Sequence, residues 1–205
     1  MRVGLIDCRS GNFQSVRNAL GYLEFEIVDV RTPGDFTAVS HLILPGVGAF
    51  STLMDRLREN QFIEPLREAV LVRKQPLLGI CVGMQVLASS GTEFGSHEGL
   101  GFIPGTVVRF ASERLGVRVP HVGWNSVDVR GSSPLFQNMD ETAPAFYFLH
   151  SYKFDPQEPA HVAAECEYGE AFAAAVARDN IMGVQFHPEK SQRNGLRLLK
   201  NFASL

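Results

Sequence analysis

Cys81 lies in the segment GICVG, residues 79–83, directly after the apolar run PLL. A Gly-x-nucleophile-x-Gly segment between a strand and a helix is typical of a nucleophile elbow, a sharp turn that exposes a reactive side chain. Glycines flank such a turn because a strained backbone tolerates few neighbouring side chains. The helix that follows would present its N-terminus to the sulfur, which favours the thiolate over the thiol. Cys81 is therefore a candidate nucleophile, and the alternative is a buried structural cysteine.

A second candidate group is the sequence His187-Pro188-Glu189, which follows a predicted strand at 181–186. A thiol nucleophile needs a neighbouring base, and the base needs a group that orients its other ring nitrogen. His187 can be that base and Glu189 the orienting group, while Pro188 favours an extended backbone at His187. Alone, a histidine in such a segment is more often part of a solvated loop. The order Cys, His, Glu predicts a triad.

A third candidate is the segment PGVGAF, residues 45–50, after a predicted strand at 41–44. Glycines at a strand end allow backbone N–H groups to turn toward a developing oxyanion. The alternative is an ordinary strand-to-helix turn, in which glycines are common.

The elements that must position these residues alternate in the first half of the chain. Apolar patterning predicts strands at 3–6, 25–30, 41–44 and 77–80 and helices at 13–23, 49–60, 63–73 and 82–89. The second half predicts strands at 106–110, 123–129, 145–149, 162–167, 171–177 and 181–186, then a helix at 192–202. We expect an α/β fold in one domain, 1–205, with a mostly parallel central sheet, helices on both faces and antiparallel additions in the second half.

Composition excludes several functional classes. The chain has 205 residues, 45% hydrophobic and 20% charged, with a net charge of -3, which gives no basic nucleic-acid footprint. Its three cysteines are far apart, which predicts neither a metal site nor a disulfide framework and favours a reducing, cytoplasmic setting. No apolar run reaches the roughly 18 residues of a membrane span. The short N-terminal apolar run does not resemble a signal peptide. We expect no metal, cofactor, nucleic acid or membrane partner.

Taken together, these segments resemble a known family. GICVGMQ at 79–85 with His187 and Glu189 is similar to the class I glutamine amidotransferases. The segments at 45–50, 120–125 (PHVGWN) and 146–152 (FYFLHSY) resemble the glutaminase subunit of imidazole glycerol phosphate synthase. So do residues 11–12, 15–16 and 190–191, and the resemblance covers essentially the whole chain.

The resemblance implies a role for each matching residue. Cys81 would attack the side-chain amide of L-glutamine, His187 would deprotonate the thiol and protonate the leaving ammonia, and Glu189 would hold the tautomer of His187. The oxyanion hole would come from the 45–48 strand and the residue after the nucleophile: Val47, Gly48 and Val82. The positions that resemble glutamine-holding residues are Gln85, Glu93, Ser151 and Tyr152.

The resemblance also implies a partner. Ammonia would pass through a tunnel to a (β/α)8-barrel cyclase subunit, in a heterodimer that makes imidazole glycerol phosphate and AICAR in histidine biosynthesis. The chain alone would be nearly inactive, because its 45–48 strand is not yet set as an oxyanion hole. The positions that match the interface are Asn12, Trp124, Tyr147, His150 and Lys190. As alternatives, Trp124 could be a core residue, Lys190 an ordinary surface lysine, and residues 151–152 ordinary strand-end residues.

One segment departs from the family pattern. Members often carry a stretch like YGMGN after the first strand, whereas this chain has CRSGN at 8–12, so Arg9 adds a charge near the expected partner surface. Three other functions remain open at this point: a paralogue that supplies ammonia for surface-polysaccharide sugar synthesis, a non-catalytic scaffold subunit on the same fold, and a cysteine protease or hydrolase.

Overall fold

The structure is a computed structural model that describes residues 1–111, 116–139 and 143–205. The helices are α1 (Phe13–Tyr22), α2 (Phe50–Glu59), α3 (Ile63–Arg67) with a π-helical continuation (Glu68–Val72), α4 (Val82–Gln85) and α5 (Gln192–Ala203). The strands are β1 (Arg2–Ile6), β2 (Glu26–Val30), β3 (His41–Gly46), β4 (Leu77–Cys81), β5 (Ser90–Gly91), β6 (His97–Glu98), β7 (Gly105–Arg109), β8 (His121–Ser126), β9 (Asp128–Val129), β10 (Ala145–His150), β11 (Tyr152–Pro156), β12 (Val162–Glu167), β13 (Ala171–Arg178) and β14 (Ile181–Val184).

The largest sheet in the described residues has eight strands in the order β2-β1-β3-β4-β14-β13-β12-β9. Its first five strands are parallel, since β1 pairs with β2 and β3, and β4 pairs with β3 and β14. The remaining three strands extend the sheet through antiparallel pairs. The predicted fold class, a mostly parallel sheet with antiparallel additions from the second half, is confirmed.

Helices cover both faces of the parallel part. β3 and β4 are buried at every residue, as strands between two helical layers must be. The chain crosses from β1 to β2 in one direction and from β3 to β4 in the other, so right-handed crossovers place α1 and α2 on opposite faces. α1 contacts α5, and α2 contacts α4. Among the described helices, none combines the length and the apolar character needed to cross a membrane.

The carboxyl ends of three parallel strands lie side by side. Gly46 at the end of β3 pairs with Cys81 at the end of β4, and Val184 at the end of β14 pairs with Ile80. Open α/β sheets hold their sites at this edge. The segments that follow β3, β4 and β14, which contain the three candidate groups, therefore converge there.

The described residues also form two smaller sheets. β8 and β10 form an antiparallel pair, and β11, β7, β5 and β6 form a four-stranded sheet. Ser151 joins β10 to β11 and so lies between the two sheets. The N–H of His187 donates to the carbonyl of Tyr147 at 2.8 Å, which ties β10 to the segment after β14.

The helix predicted at 82–89 is shorter in the structure and ends at Gln85. The carbonyl oxygens of Val86, Leu87 and Ala88 accept hydrogen bonds from the N–H groups of residues 100, 102 and 101, at 2.8–3.0 Å. Those carbonyls are therefore unavailable to a longer helix, because each is engaged by a segment distant in sequence.

Two strand expectations also differ from the structure. The single strand predicted at 123–129 is two strands in separate sheets, since β8 pairs with β10 and β9 with β12. Val127 lies between them and donates to the carbonyl of Pro144 at 3.1 Å. The sequence-based expectation omits β11, although YKFDP alternates apolar and charged residues and so carried a strand signal.

Candidate active site

Cys81 lies at the turn from β4 to α4 in a strained backbone conformation. Its φ is +56° and its ψ is -112°, a region that residues with a Cβ rarely adopt. A Cβ added at Gly79 would overlap the carbonyl of Gly83, and one added at Gly83 would overlap the carbonyl of Leu44. Both glycines are needed for this close approach of backbone segments. α4 has only four residues, so its dipole stabilises a negative charge on the sulfur less than the longer helix predicted from the sequence would.

His187 and Glu189 form a buried pair beside this turn. His187 Nδ1 lies 2.7 Å from Glu189 Oε1, and both side chains are 0% exposed. A carboxylate oxygen can only accept this bond, so the proton is on Nδ1. His187 Nε2 is buried and has no hydrogen-bond partner among the described residues. Nε2 is thus the ring atom left to exchange a proton with Cys81, which lines the same pocket.

The electrostatics of this pair favour the imidazolium. Burial alone would lower the pKa of His187. The negative charge of the Cys81 sulfur, together with the hydrogen bond and charge of Glu189, outweighs burial and raises that pKa to about 10. The arrangement can hold a proton on His187 while the sulfur is a thiolate, which is the state that a nucleophilic cysteine requires.

A further polar chain reaches the same oxygen of Glu189. Asn12 Nδ2 donates to Glu189 Oε1 at 3.3 Å, and Ser10 Oγ donates to Asn12 Oδ1 at 2.6 Å. The serine hydroxyl therefore holds the Asn12 amide with its NH₂ group toward the carboxylate. Ser10 and Asn12 are both buried, 7% and 3% exposed.

The candidate oxyanion donors come from two adjacent strand ends. Val82 directly follows Cys81, and Val47 directly follows Gly46, the residue paired with Cys81 across the sheet. Gly48 has a φ of +96°, which favours glycine at that position. Val47, Gly48 and Val82 all line the pocket that contains Cys81.

This pocket has a volume of about 210 Å³. That is below the roughly 300–1,000 Å³ typical of sites for drug-sized ligands, and it suits a substrate the size of one amino acid. Its lining comprises Val47, Gly48, Cys81, Val82, Gln85, Glu93, Pro120, Leu149, His150, Ser151, Tyr152 and His187. The structure therefore brings together all the residues predicted for the oxyanion hole and for glutamine, with Glu189 behind His187.

Two of the predicted glutamine-holding residues also have partners within the protein. Gln85 Nε2 donates to the carbonyl of Tyr152 at 3.0 Å, which links α4 to β11. Glu93 Oε2 accepts a hydrogen bond from the N–H of Phe50, the first residue of α2, at 2.8 Å. The first contact ties the pocket wall to α4, which begins at Val82, and the second ties it to the start of α2, which follows Val47 and Gly48 in the chain.

Comparisons with known proteins identify the family. A family model described as "Glutamine amidotransferase class-I" matches residues 4–204. Imidazole glycerol phosphate synthase subunit HisH of Syntrophotalea carbinolica is 43% identical over 98% of this chain and 98% of its own length. Subunit HisH 1 of Campylobacter jejuni subsp. jejuni is 44% identical over 99% of this chain and 100% of its own. The chain belongs to the class-I glutamine amidotransferases, in the HisH family. This membership confirms the predicted family and the predicted enzyme, a glutamine amidotransferase of the imidazole glycerol phosphate synthase type.

Solved structures support the amidotransferase fold. The crystal structure of a glutamine amidotransferase superposes with a TM-score of 0.76 at 23% identity, over 98% of this chain and 97% of that one. The PurLQS structure from Thermotoga maritima gives a TM-score of 0.75 at 18% identity, over 99% of this chain and 97% of that one. At such identities the likeness concerns the fold alone.

Three of the five residues predicted at the amidotransferase's partner interface form one surface. Trp124 and Tyr147 are paired across β8 and β10, with ring centroids 6.2 Å apart, and Trp124 is 50% exposed. Lys190 Nζ lies 5.7 Å from the Tyr147 ring centroid. Val122 and Leu149, also paired, extend this surface and are 53% and 39% exposed. Together these five residues form what we call the β8–β10 face.

The other two residues that match positions near the interface are buried in the structure. Asn12 contacts Glu189 in the interior of the protein. His150 is 6% exposed, because alternate residues of β10 point inward and its position in that alternation faces the core. His150 Nδ1 lies 2.8 Å from the carbonyl of Tyr152, and Nε2 lies 3.1 Å from His121 Nδ1. Burial lowers the pKa of His150 to about 3 and that of His121 to about 4, so both rings are neutral.

No role in the site was predicted from the sequence for three buried polar residues near it: Ser10, His121 and Gln185. Ser10 lies in the CRSGN departure, His121 in the PHVGWN segment, and Gln185 two residues before His187. A polar residue at the end of an apolar strand was the available signal for Gln185, since such residues are rarely buried without a partner.

Proposed function

We propose that this amidotransferase hydrolyses L-glutamine to glutamate and ammonia through Cys81, His187 and Glu189. The observation that carries the proposal is the buried His187–Glu189 pair, whose remaining ring nitrogen lies in one pocket with the elbow cysteine. A nucleophile, a base and an orienting carboxylate in this relation are the parts that acyl transfer through a thioester requires.

In the first half of the reaction, the Cys81 sulfur attacks the side-chain amide carbon of glutamine. The C–S bond forms as the carbonyl oxygen becomes an oxyanion, which the N–H groups of Val82 and Val47 stabilise. The imidazolium of His187 then gives its Nε2 proton to the amide nitrogen. The C–N bond breaks, ammonia leaves, and a γ-glutamyl thioester remains on Cys81.

In the second half, water attacks the thioester carbon and His187 Nε2 takes its proton. The C–S bond breaks, glutamate leaves, and the proton on His187 again balances the thiolate of Cys81. Glu189 keeps the Nδ1 proton of His187 in place at 2.7 Å throughout. The sum is glutamine plus water giving glutamate plus ammonia.

We infer that the ammonia is passed to a (β/α)8-barrel cyclase subunit in a heterodimer. The HisH relatives are named as subunits of imidazole glycerol phosphate synthase, so the acceptor reaction would yield imidazole glycerol phosphate and AICAR in histidine biosynthesis. The β8–β10 face supports a partner at this position, since it exposes several apolar side chains together. Leu149 lies both on that face and in the pocket wall, so the path from Cys81 to the face is short.

The whole chain would act as one glutaminase domain, because residues from position 12 to position 189 meet at the site. A cytoplasmic location suits this chemistry, since Cys81 must stay reduced to act as a nucleophile.

The proposal is tested by Cys81→Ala, assayed for glutamate release in the presence of the cyclase and its acceptor. Removing the nucleophile is expected to lower kcat on the order of 10⁴-fold or more. Cys166→Ala is the matched control, since Cys166 is also a free, buried cysteine but lies in β12 away from the pocket. It should retain activity within a few-fold. Hydrolysis by Cys81→Ala at the wild-type rate would contradict the proposal.

A further inference from the structure

Gln185 is a buried amide that contacts the sulfur of Cys81. It follows β14, is 0% exposed, and its Nε2 lies 3.8 Å from Cys81 Sγ. A buried amide is costly unless its polar atoms are satisfied, and an apolar side chain of similar length would fill the same space without that cost. Its position beside the nucleophile therefore calls for a chemical explanation.

The orientation of this amide follows from a backbone group. The carbonyl oxygen of Tyr152 can only accept, so the Gln85 atom 3.0 Å from it is the NH₂ nitrogen. That nitrogen also lies 3.0 Å from Gln185, so the Gln185 atom facing it is the oxygen. The NH₂ group of Gln185 is then turned toward the sulfur. The backbone carbonyl of Tyr152 thus fixes the orientation of both side-chain amides, that of Gln85 and that of Gln185.

We propose that Gln185 donates a hydrogen bond to the Cys81 thiolate and is a catalytic residue of the glutaminase, held in orientation by Gln85. The inference rests on the proposed role of Cys81. No proton is transferred: Gln185 keeps both N–H bonds and stabilises the negative charge on sulfur. A thiolate accepts such a bond more strongly than a thiol, since hydrogen bonds to ionised groups are the stronger ones.

The Gln185 donor stabilises a negative charge on sulfur that the local backbone stabilises only weakly. α4 is only four residues long, so the helix dipole contributes little to the charge on sulfur. His187 supplies a positive charge, but it must give up its proton during the reaction. A neutral amide remains a donor through every step, so it can stabilise the thiolate each time the enzyme returns to its resting state.

The test is the pH profile of Cys81 alkylation by iodoacetamide in Gln185→Met, which keeps side-chain length and removes the donor. We expect the midpoint to rise by about one pH unit, as a tenfold weaker preference for the thiolate requires. The plateau at high pH should be at least as high as that of the wild type, because access is unchanged. Burial raises the pKa of Cys8 and of Cys166 to about 12, so neither thiol competes, and Cys81→Ala gives the blank.

Two further variants separate this role from packing. Gln75→Met makes the same substitution at an amide that binds the carbonyl of Val39 at 2.6 Å, remote from the pocket, and it should leave the profile unchanged. Gln185→Glu keeps an acceptor for Gln85 but turns a carboxylate oxygen toward sulfur, so its midpoint should rise further than in Gln185→Met. If Gln185→Met does not unfold cooperatively, Gln185→Glu is the variant that tests the inference.

In the complex with the cyclase, Gln185→Met should lower kcat/KM for glutamine by about 10- to 100-fold. An unchanged midpoint in folded Gln185→Met, or an equal rise in Gln75→Met, would overturn the inference while leaving the proposed function intact. Failure of the proposed function gives a different result, because wild-type protein with its cyclase would then release no glutamate whatever the alkylation profile.

Discussion

At the scale of single residues, the site depends on one carboxylate oxygen. Glu189 Oε1 accepts from both His187 and Asn12, while Oε2 is buried with no hydrogen-bond partner among the described residues. Ser10 orients the Asn12 amide, and Ser10 belongs to the CRSGN segment that departs from the family pattern. This segment therefore stabilises the proposed triad through Glu189. We infer that Asn12 is a positioning residue for Glu189, since burial keeps it from direct contact with a partner.

The raised pKa of His187 predicts how stability depends on pH. That pKa has its ordinary value of 6.5 in the unfolded chain and rises to about 10 in the folded protein, so the imidazolium stabilises the fold fully below about pH 6.5 and ceases to do so as pH rises through 10. Glu189→Gln removes one of the charges that hold the proton. Where the cysteine thiol is ionised in the unfolded chain as well, from about pH 8.5 to 10, the free energy of unfolding of the wild type should fall by up to about 1.4 kcal/mol per pH unit more than that of Glu189→Gln.

Urea denaturation at several pH values measures this difference. Glu26→Gln is the control, because Glu26 forms an exposed ion pair with Arg2 at 2.7 Å and has no contact with a titrating histidine. Its pH dependence should match that of the wild type. Equal slopes for the wild type and Glu189→Gln would show that Glu189 does not hold the proton on His187.

At the scale of elements, the nucleophile is positioned by the close approach of β3, β4 and α4. Gly46, Gly79 and Gly83 lie where an added Cβ would meet backbone atoms of a neighbouring segment. The turn that contains Cys81 is therefore possible only because these three positions are glycines, which have no side chain. The same contacts place Val47 beside Val82, so the elbow and the candidate oxyanion strand are one packed unit.

Gly83→Ala should destabilise the protein by about 1–3 kcal/mol or more, because the new Cβ would overlap the Leu44 carbonyl. Gly21→Ala is a matched control in α1, where no atom lies within 4 Å of the added Cβ. It should raise the stability by less than the roughly 0.5–1 kcal/mol of an interior position or leave it unchanged, because Gly21 is the second-last residue of α1. Chemical denaturation of both variants checks the pair, and equal stability of Gly83→Ala and the wild type would contradict the packing described.

At the scale of the whole molecule, the strand β10 contributes residues both to the pocket and to the β8–β10 face. Alternate residues of β10 point outward at Tyr147 and Leu149 and inward at Phe148 and His150. The inward residues pack the core beside the pocket, and the outward ones form the apolar face. A partner bound there would therefore contact the strand that forms part of the site wall.

Trp124→Ala should weaken binding to the cyclase about 30-fold or more, because a half-exposed tryptophan at the centre of an apolar face is typical of an interface hot spot. The Kd is measured by titrating one subunit with the other. Tyr22→Ala is the control, since Tyr22 is 76% exposed on α1, outside this face. Cys81 alkylation should be unchanged in both variants. A wild-type Kd for Trp124→Ala would exclude this face as the interface.

Sequence alone determined the features that depend on short segments. The alternation of apolar runs predicts the parallel sheet, and the glycines around Cys81 predict a sharp turn whose chemistry is local. The segment HPE similarly places a histidine and a carboxylate two residues apart, and the structure joins them at 2.7 Å. The spacing within such segments is set by covalent geometry, so it can be inferred without knowing the fold.

Only the tertiary structure decided which distant residues meet. Asn12 contacts Glu189 across 177 positions and Gln185 contacts Cys81 across 104, and neither pair follows from any local pattern. The burial of His150 depends on the inward phase of β10, which is set by the packing of its sheet against the core. The placement of Asn12, His150 and Gln185 therefore required the packed molecule, because side-chain contacts between strands depend on register and not on sequence spacing.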